Sequence, residues 1–165
     1  MGRSRPEGGP HAHHHVEESV RIDRPAADVW AAIADYPFDL QWRKGITEMT
    51  PEPPGPPAVG TRVHEVLKLA GKRFTTDSTV VEVDPGGSYA FAGRGTSGEV
   101  RGSRTVRAAA GGDGADFTYA IDLQPARGLS VLGPLLVPML RSGLRKDLQR
   151  LRELLERDGR SGAAG

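Results

Sequence analysis

The feature that most constrains the fold is a leucine stripe near the C-terminus. Leucines recur there at spacings of four and three residues, which matches one face of an α-helix; they are Leu132, Leu136, Leu140, Leu144, Leu148, Leu151 and Leu155. The stripe predicts an amphipathic helix that starts between Leu129 and Leu135 and runs to about Arg157. Gly159 follows as a cap, and Pro138 falls inside, so a kink or a late start is expected. Such a helix must bury its apolar face against another layer.

The layer before this helix is a series of strand-like segments separated by glycine-rich turns. They cover residues 61–69, 73–83, 88–94, 99–109 and 116–123, after earlier strands at 16–22 and 46–49. Consecutive strands joined by hairpin turns must run antiparallel, and a sheet of six or seven strands must curl or be covered. The sequence therefore predicts an α+β domain: a curved antiparallel sheet, two short N-terminal helices at about 25–34 and 38–42, and one long C-terminal helix over the sheet, enclosing a cavity.

The ends of the chain and its composition narrow the function classes. Residues 1–14 and 158–165 have little to bury, so we expect disordered tails around a single domain of residues 15–157. The net charge of +1 and the absence of Cys argue against a nucleic-acid partner, disulfides and thiolate metal sites. The His-rich start is interpreted as a tail and not as a metal site, and no cofactor is predicted. With no apolar leader and no apolar run of membrane-spanning length, we expect a cytoplasmic protein without a transmembrane segment.

Polar side chains that share a strand face with apolar residues are candidates for a cavity lining. Glu65 shares a phase with Leu67, and a buried carboxylate needs a partner; alternatively, Glu65 lies near the strand end and reaches solvent. Strand 73–83 has two balanced phases, so its orientation stays open, and a bulge is one explanation. In one orientation Arg73 and Asp77 join Glu65 in an internal polar cluster. The favoured alternative is an ion-pair ladder on the outer face.

Three further polar side chains lie in apolar phases. Tyr119 does so in its strand, and Tyr89 shares a phase with Phe91. Each hydroxyl is suited to donate a hydrogen bond to a ligand carbonyl. The favoured alternative is that each ring packs in the core and its hydroxyl is hydrogen-bonded within the protein. Arg104 shares a phase with Val106, as a cavity-facing cation or as a side chain that snorkels near a strand end. The complete set of predicted cavity residues is Glu65, Leu67, Asp77, Tyr89, Phe91, Arg104, Tyr119, Ile121, Leu136 and Leu140.

Several of these features together resemble a known family. The stretch from Ile22 to Tyr36, Ile-Asp-Arg-Pro-Ala-Ala-Asp-Val-Trp-Ala-Ala-Ile-Ala-Asp-Tyr, with Trp42 after it, is similar to the opening of the SRPBCC superfamily of START-like, helix-grip domains. Val-Val-Glu-Val-Asp-Pro-Gly at 80–86 resembles the turn between the fourth and fifth strands of that family, and the leucine-rich helix fits its close. The resemblance covers about 16–157 and is nearest to the polyketide cyclase/dehydrase-like branch of small bacterial proteins.

The resemblance implies a fold and leaves three functions open, because its members include lipid and hormone carriers, cyclase/aromatases and ATPase activators. The favoured function is non-catalytic binding of a small hydrophobic molecule, lipid-like, aromatic or polyketide-like. The second is a cyclase, aromatase or dehydratase with one acid or base such as Glu65 or Tyr119. No catalytic residue is assigned, because His64 and Glu65 are neighbours on a strand and point to opposite faces. The third is a protein-interaction module; a monomer and a homodimer both remain open.

Overall fold

The computed structural model describes residues 13–128 and 133–162. The predicted order of one strand, two short helices, six strands and one long helix is confirmed. In chain order the elements are β1 (His14–Ile22), α1 (Ala26–Ile33), a 3-10 turn (Tyr36–Phe38), α2 (Asp39–Trp42), β2 (Ile46–Glu52), β3 (Arg62–Leu69), β4 (Lys72–Asp84), β5 (Ser88–Gly95), β6 (Gly98–Ala108), β7 (Ala115–Pro125) and α3 (Gly133–Gly162). Of the predicted N-terminal tail, residues 1–12 lie outside the described residues, and β1 already includes His14.

The seven described strands form one antiparallel sheet in the order β1-β7-β6-β5-β4-β3-β2. From β2 to β7 each strand pairs with its neighbour in the chain, whereas β1 returns to pair with β7. The edges are β1 and β2, and Pro51 lies on edge strand β2, where its missing N–H is tolerated. The short helices connect the two edges, and α3 packs mainly along β1. This is the predicted helix-grip architecture.

A bulge in β4 explains why the two phases of residues 73–83 balance in the sequence. The pairing of β4 with β5 shifts by one residue between Val80 and Glu82. The extra residue lets Val80 and Val83 both pack on the core although they are three positions apart. Val81 between them is 53% exposed. A strand with such a shift has no single alternating pattern, so its orientation follows only from its partners.

The two halves of α3 are buried to different extents. In the part of α3 from Leu144 onward, Leu144, Leu148 and Leu151 are at most 6% exposed and belong to the core. In the N-terminal half Leu135 is 73% and Met139 is 50% exposed. The leucine stripe therefore anchors α3 from Leu144 onward and leaves the turns before it loosely covered.

The predicted end of α3 near Arg157 is wrong, because the helix continues to Gly162. Gly159 is not a cap; it lies inside the helix, and the Arg24 side chain occupies the space that a Cβ there would need. Pro138 also lies inside α3. None of the described helices is long and apolar enough to cross a membrane.

Candidate functional site

A buried ion pair lies between α2 and the concave face of the sheet. Asp39 opens α2 and Arg104 lies in β6, and their side chains are 0% and 1% exposed. Nη1 of Arg104 donates to Oδ1 of Asp39 at 2.9 Å, and Nη2 donates to Oδ2. Nη1 also donates to the backbone carbonyl of Ile33 at 3.2 Å. Because a buried charge without a partner is costly, each of the two side chains depends on the other.

Three aromatic rings surround the Arg104 guanidinium. Its Cζ lies 4.7 Å from the ring centroid of Tyr119, 5.2 Å from that of Trp42 and 5.8 Å from that of Tyr89. At these distances the cation is attracted to the ring faces. The Tyr89 hydroxyl donates to the Ile33 carbonyl at 3.5 Å, so the predicted core packing with a bonded hydroxyl describes this residue. The rings leave almost none of Arg104 exposed to a ligand.

Burial changes the ionisation of these groups. Burial raises the pKa of Tyr36 to about 12, although the nearby Arg104 cation opposes the shift. Burial likewise raises the pKa of Tyr89 well above its usual value. For Arg104 burial is the largest single influence and lowers the pKa, but the Asp39 carboxylate together with Tyr89 and Tyr119 raises it by more, so the net pKa is raised. Near neutral pH both phenols are therefore uncharged and Arg104 is cationic.

A second ion pair extends the first toward the β3 side of the sheet. Arg43 directly follows α2, and its Nη1 donates to Oε2 of Glu65 at 2.6 Å and to Oδ2 of Asp39 at 3.4 Å. Their side chains are more accessible, Arg43 at 12% and Glu65 at 22%. The charges thus alternate through what we call the ion-pair chain: Arg104, Asp39, Arg43 and Glu65. It is closed at Arg104 and accessible at Glu65.

The middle of α3 fixes the end of α2. Asp147 accepts hydrogen bonds from the Lys44 backbone N–H at 3.1 Å and from the Arg150 guanidinium at 2.8 Å. Arg150 also donates to the Trp42 carbonyl at 2.6 Å. These bonds satisfy backbone groups that a four-residue helix leaves without partners. Through them α3 holds the α2 half of the ion-pair chain over the sheet.

Next to the accessible end of the ion-pair chain, the concave face is lined by apolar side chains that are only half-buried. Phe91 on β5 pairs with Gly102 on β6, which pairs with Ile121 on β7, so the three share one face. A Cβ at Gly102 would lie 2.5 Å from Cζ of Phe91, which means that the ring lies across this glycine. Val137 and Leu140 of α3 pack on the same core and are also half-buried. We call Phe91, Ile121, Val137 and Leu140 the open concave surface.

Most of the predicted cavity residues come together in these two features. Glu65 and Arg104 belong to the ion-pair chain, and the rings of Tyr89 and Tyr119 lie against Arg104. The open concave surface contains three more, which are Phe91, Ile121 and Leu140. Two others are half-buried residues outside these groups, namely Leu67 and Leu136.

Asp77 lies elsewhere, which corrects the expectation that it faces a cavity. It pairs with His64 across the β3–β4 register, with 2.7 Å between Oδ1 and Nδ1, and its side chain is 79% exposed. Arg73 is also exposed and pairs with Glu48 at 3.4 Å. Since Glu65 points to the opposite face from its neighbour His64, the internal cluster of Arg73, Asp77 and Glu65 does not form. The favoured outer ladder of these three residues does not form either, because Asp77 is paired with His64, Arg73 with Glu48 and Glu65 with Arg43.

Sequence reasoning did not single out Asp39 and Arg43, the two central members of the ion-pair chain. Their spacing of four residues on a short helical turn was the available signal.

In the part of the chain that the structure describes, no group of three His, Asp or Glu residues is placed to hold a metal ion. A separate groove of about 650 Å³ lies between α1 and the β2–β3 loop, and its lining includes Trp30 and Met49. None of the residues that line this groove belongs to the ion-pair chain.

Comparisons with known proteins agree with this architecture. Residues 13–156 match the family described as polyketide cyclase / dehydrase and lipid transport. A search of curated protein sequences gave no match.

The fold is similar to several solved structures. The Zhui aromatase/cyclase from Streptomyces sp. R1128 has a TM-score of 0.71 at 17% identity, covering 88% of this chain and 95% of that one. TTHA0849 from Thermus thermophilus has a TM-score of 0.68 at 16% identity, covering 86% and 96%. DynU16 from the dynemicin biosynthetic locus has a TM-score of 0.60 at 22% identity, covering 87% and 47%, so this chain spans about half the length of DynU16. At these identities the likeness shows the fold.

Proposed function

The chain belongs to the polyketide cyclase/dehydrase and lipid transport family, and from this premise we propose that it binds a small hydrophobic molecule between the sheet and α3. The observation that carries the proposal is the open concave surface, whose four apolar side chains are only half-buried. Apolar area that the fold leaves accessible gains free energy when an apolar ligand covers it. The proposed ligand is lipid-like, aromatic or polyketide-like, and the family description names polyketides and lipids.

The position of the ion-pair chain supports the proposal. Ligand sites combine a mainly apolar lining with a few polar groups that fix orientation. Here the apolar lining borders Arg43 and Glu65, because the Arg43 guanidinium lies 5.7 Å from the Tyr119 ring and Tyr119 contacts the Phe91 ring edge-on at 6.4 Å. A ligand on the open concave surface therefore lies beside the polar groups of Arg43 and Glu65.

The test is native mass spectrometry of freshly purified protein, followed by melting-temperature shifts with a panel of aromatic and lipid compounds. Ile121→Gln should weaken binding at least tenfold, whereas Val81→Gln, at an exposed position of β4, should leave it unchanged. A protein that is always purified empty and whose melting temperature no compound shifts would refute the proposal.

A cyclase- or dehydratase-type reaction is the second candidate, favoured by the contact between Arg43 and Glu65. A carboxylate can take a proton from the carbon beside a ketone, while an adjacent guanidinium stabilises the enolate oxygen. The first step can be tested with 1-tetralone in deuterium oxide, by following deuterium uptake beside the carbonyl with NMR. Catalysed exchange that Glu65→Gln abolishes would support an enzyme; binding without exchange would support a carrier.

A further inference from the structure

We infer that the Arg43–Glu65 pair is a carbonyl-recognition subsite, which selects neutral, mainly apolar ligands that carry a ketone oxygen over hydrocarbons and over carboxylates of similar size. The inference rests on the proposed function, because it names the ligand class for that same site. It assigns Arg43 as the residue that determines specificity, with Asp39 and Arg104 as positioning residues.

Accessibility along the ion-pair chain identifies which groups a ligand can contact. Exposure is 1% at Arg104 and 0% at Asp39, but 12% at Arg43 and 22% at Glu65. A molecule on the open concave surface can therefore reach the outer pair, whereas the inner pair is covered by aromatic rings. Any direct polar contact between such a ligand and the ion-pair chain is therefore made by Arg43 or Glu65.

The hydrogen bonds of Arg43 leave donors available. A guanidinium has five N–H donors and no acceptor. In the described part of the chain, the hydrogen bonds of Arg43 to Asp39 and Glu65 both run through Nη1. The donors on Nε and Nη2 remain for a ligand, and a group that offers only donors recognises an acceptor such as a ketone oxygen.

The charge balance selects a neutral acceptor. The two guanidinium groups and two carboxylates of the ion-pair chain sum to zero charge. A carboxylate ligand would add an uncompensated negative charge beside Glu65, which is costly in a poorly hydrated site. A ketone accepts a hydrogen bond from Arg43 without changing that balance.

The inner pair keeps Arg43 in place. Asp39 is held by two hydrogen bonds from Arg104, and it accepts a bond from Arg43 one helical turn later. The guanidinium is thus fixed at the border between the open concave surface and the ion-pair chain. A donor whose position is already set loses little entropy when it binds a ligand oxygen.

Binding of 1-tetralone, tetralin and 1-naphthoate, measured by calorimetry, tests the inference, because the three share a bicyclic skeleton and differ in the oxygen group. Wild-type protein should bind 1-tetralone at least tenfold more tightly than either of the others. Arg43→Met keeps the aliphatic stem and removes the donors, so it should lower the affinity for 1-tetralone to that for tetralin and leave tetralin binding unchanged. Arg94→Met, at an ion-paired arginine of β5 that is 77% exposed, is the matched control and should behave as wild type.

Glu65→Gln is expected to gain affinity for 1-naphthoate, and a variant that failed to fold could not show such a gain. It removes one negative charge, so 1-naphthoate should bind at least tenfold more tightly than to wild type. Equal binding of 1-tetralone and tetralin by the wild type, or no gain of 1-naphthoate affinity in Glu65→Gln, would overturn the inference and leave the proposed function intact. Binding of none of the three by folded wild-type protein would also overturn the inference, and the proposed function would fall with it only if the panel of lipid and aromatic compounds shifts no melting temperature either.

Discussion

The Asp39 carboxylate and the Arg104 guanidinium are bound to each other inside the domain although they lie 65 positions apart in the sequence. One comes from α2 and the other from β6, so the pair ties the N-terminal helices to the sheet. The Tyr119 ring covers the guanidinium at 4.7 Å. A cation in this position is barely exposed to water, and removal of the carboxylate would leave it with the uncharged Ile33 carbonyl as a hydrogen-bond acceptor.

Asp39→Asn should therefore be strongly destabilising. Removing one partner of a buried ion pair leaves the other uncompensated, and we expect a loss of about 3–5 kcal/mol in the free energy of unfolding, measured by urea denaturation. The control is Glu48→Gln, which breaks the exposed pair with Arg73 and should cost less than about 1 kcal/mol. Equal losses in the two variants would mean that Asp39 and Arg104 are solvated in solution.

Much of the fold could be predicted because its elements carry strong periodic signals. The leucine stripe identified α3, and the turn at Asp84–Gly87 separated β4 from β5. Alternation along the strands also identified Glu65 and Arg104. Side chains two positions apart on a strand point to the same face, so a polar residue that alternates in step with apolar residues points inward with them.

The remaining parts of the candidate site lack such signals. Asp39 and Arg43 lie on a helix of only four residues and its first flanking residue, too short for a periodic pattern. The sequence leaves the direction of Asp77 open, because the bulge at Val80 balances the two phases of β4. Only the pairing of Asp77 with His64 on β3 fixes its direction, and that pairing is a long-range property which one segment does not encode.

The buried half of α3 should be much more sensitive to truncation than the exposed half. Leu148 is 1% and Leu135 is 73% exposed. Leu148→Ala removes core atoms and leaves a cavity, at an expected cost of about 2–5 kcal/mol, while Leu135→Ala should change stability by less than about 0.5 kcal/mol. Urea denaturation of both variants measures the difference. A loss below about 1 kcal/mol for Leu148→Ala would show that α3 is not docked through its C-terminal half.

Alkaline pH should destabilise the fold through Tyr36. Its pKa is about 12 in the folded protein, raised from 10.0 by burial. Above pH 10 the unfolded chain loses a proton that the folded state keeps, so the contribution is complete below pH 10 and declines as pH rises toward 12. The slope is about 1.4 kcal/mol per pH unit for one such group.

Urea denaturation at pH 9 and at pH 11 measures this loss, and Tyr36→Phe should remove part of it. The buried Tyr89, whose pKa is also raised, supplies a further part that remains in the variant. Phenolate absorbance of folded protein gives an independent check. If Tyr36 and Tyr89 titrate near pH 10 without unfolding, the aromatic surroundings of Arg104 are open to water.

Two glycine substitutions should change stability in opposite directions. At Gly143, inside α3, a Cβ would meet nothing within 4 Å, so Gly143→Ala should stabilise the protein by about 0.5–1 kcal/mol through helix propensity. At Gly102 a Cβ would lie 2.5 Å from Cζ of Phe91 and 2.8 Å from the Ala120 carbonyl oxygen. Gly102→Ala must move the ring or the strand, with an expected loss of about 1–3 kcal/mol.

The Gly102 variant also bears on ligand binding. Phe91 belongs to the open concave surface, so a ring displaced by Gly102→Ala should weaken 1-tetralone binding together with stability, whereas Gly143→Ala should leave binding unchanged. Thermal denaturation and calorimetry on the same samples separate the two effects. A Gly102→Ala protein with unchanged stability would show that the Phe91 ring is not held across this glycine. The open concave surface would then differ in shape from the one on which the proposed function rests.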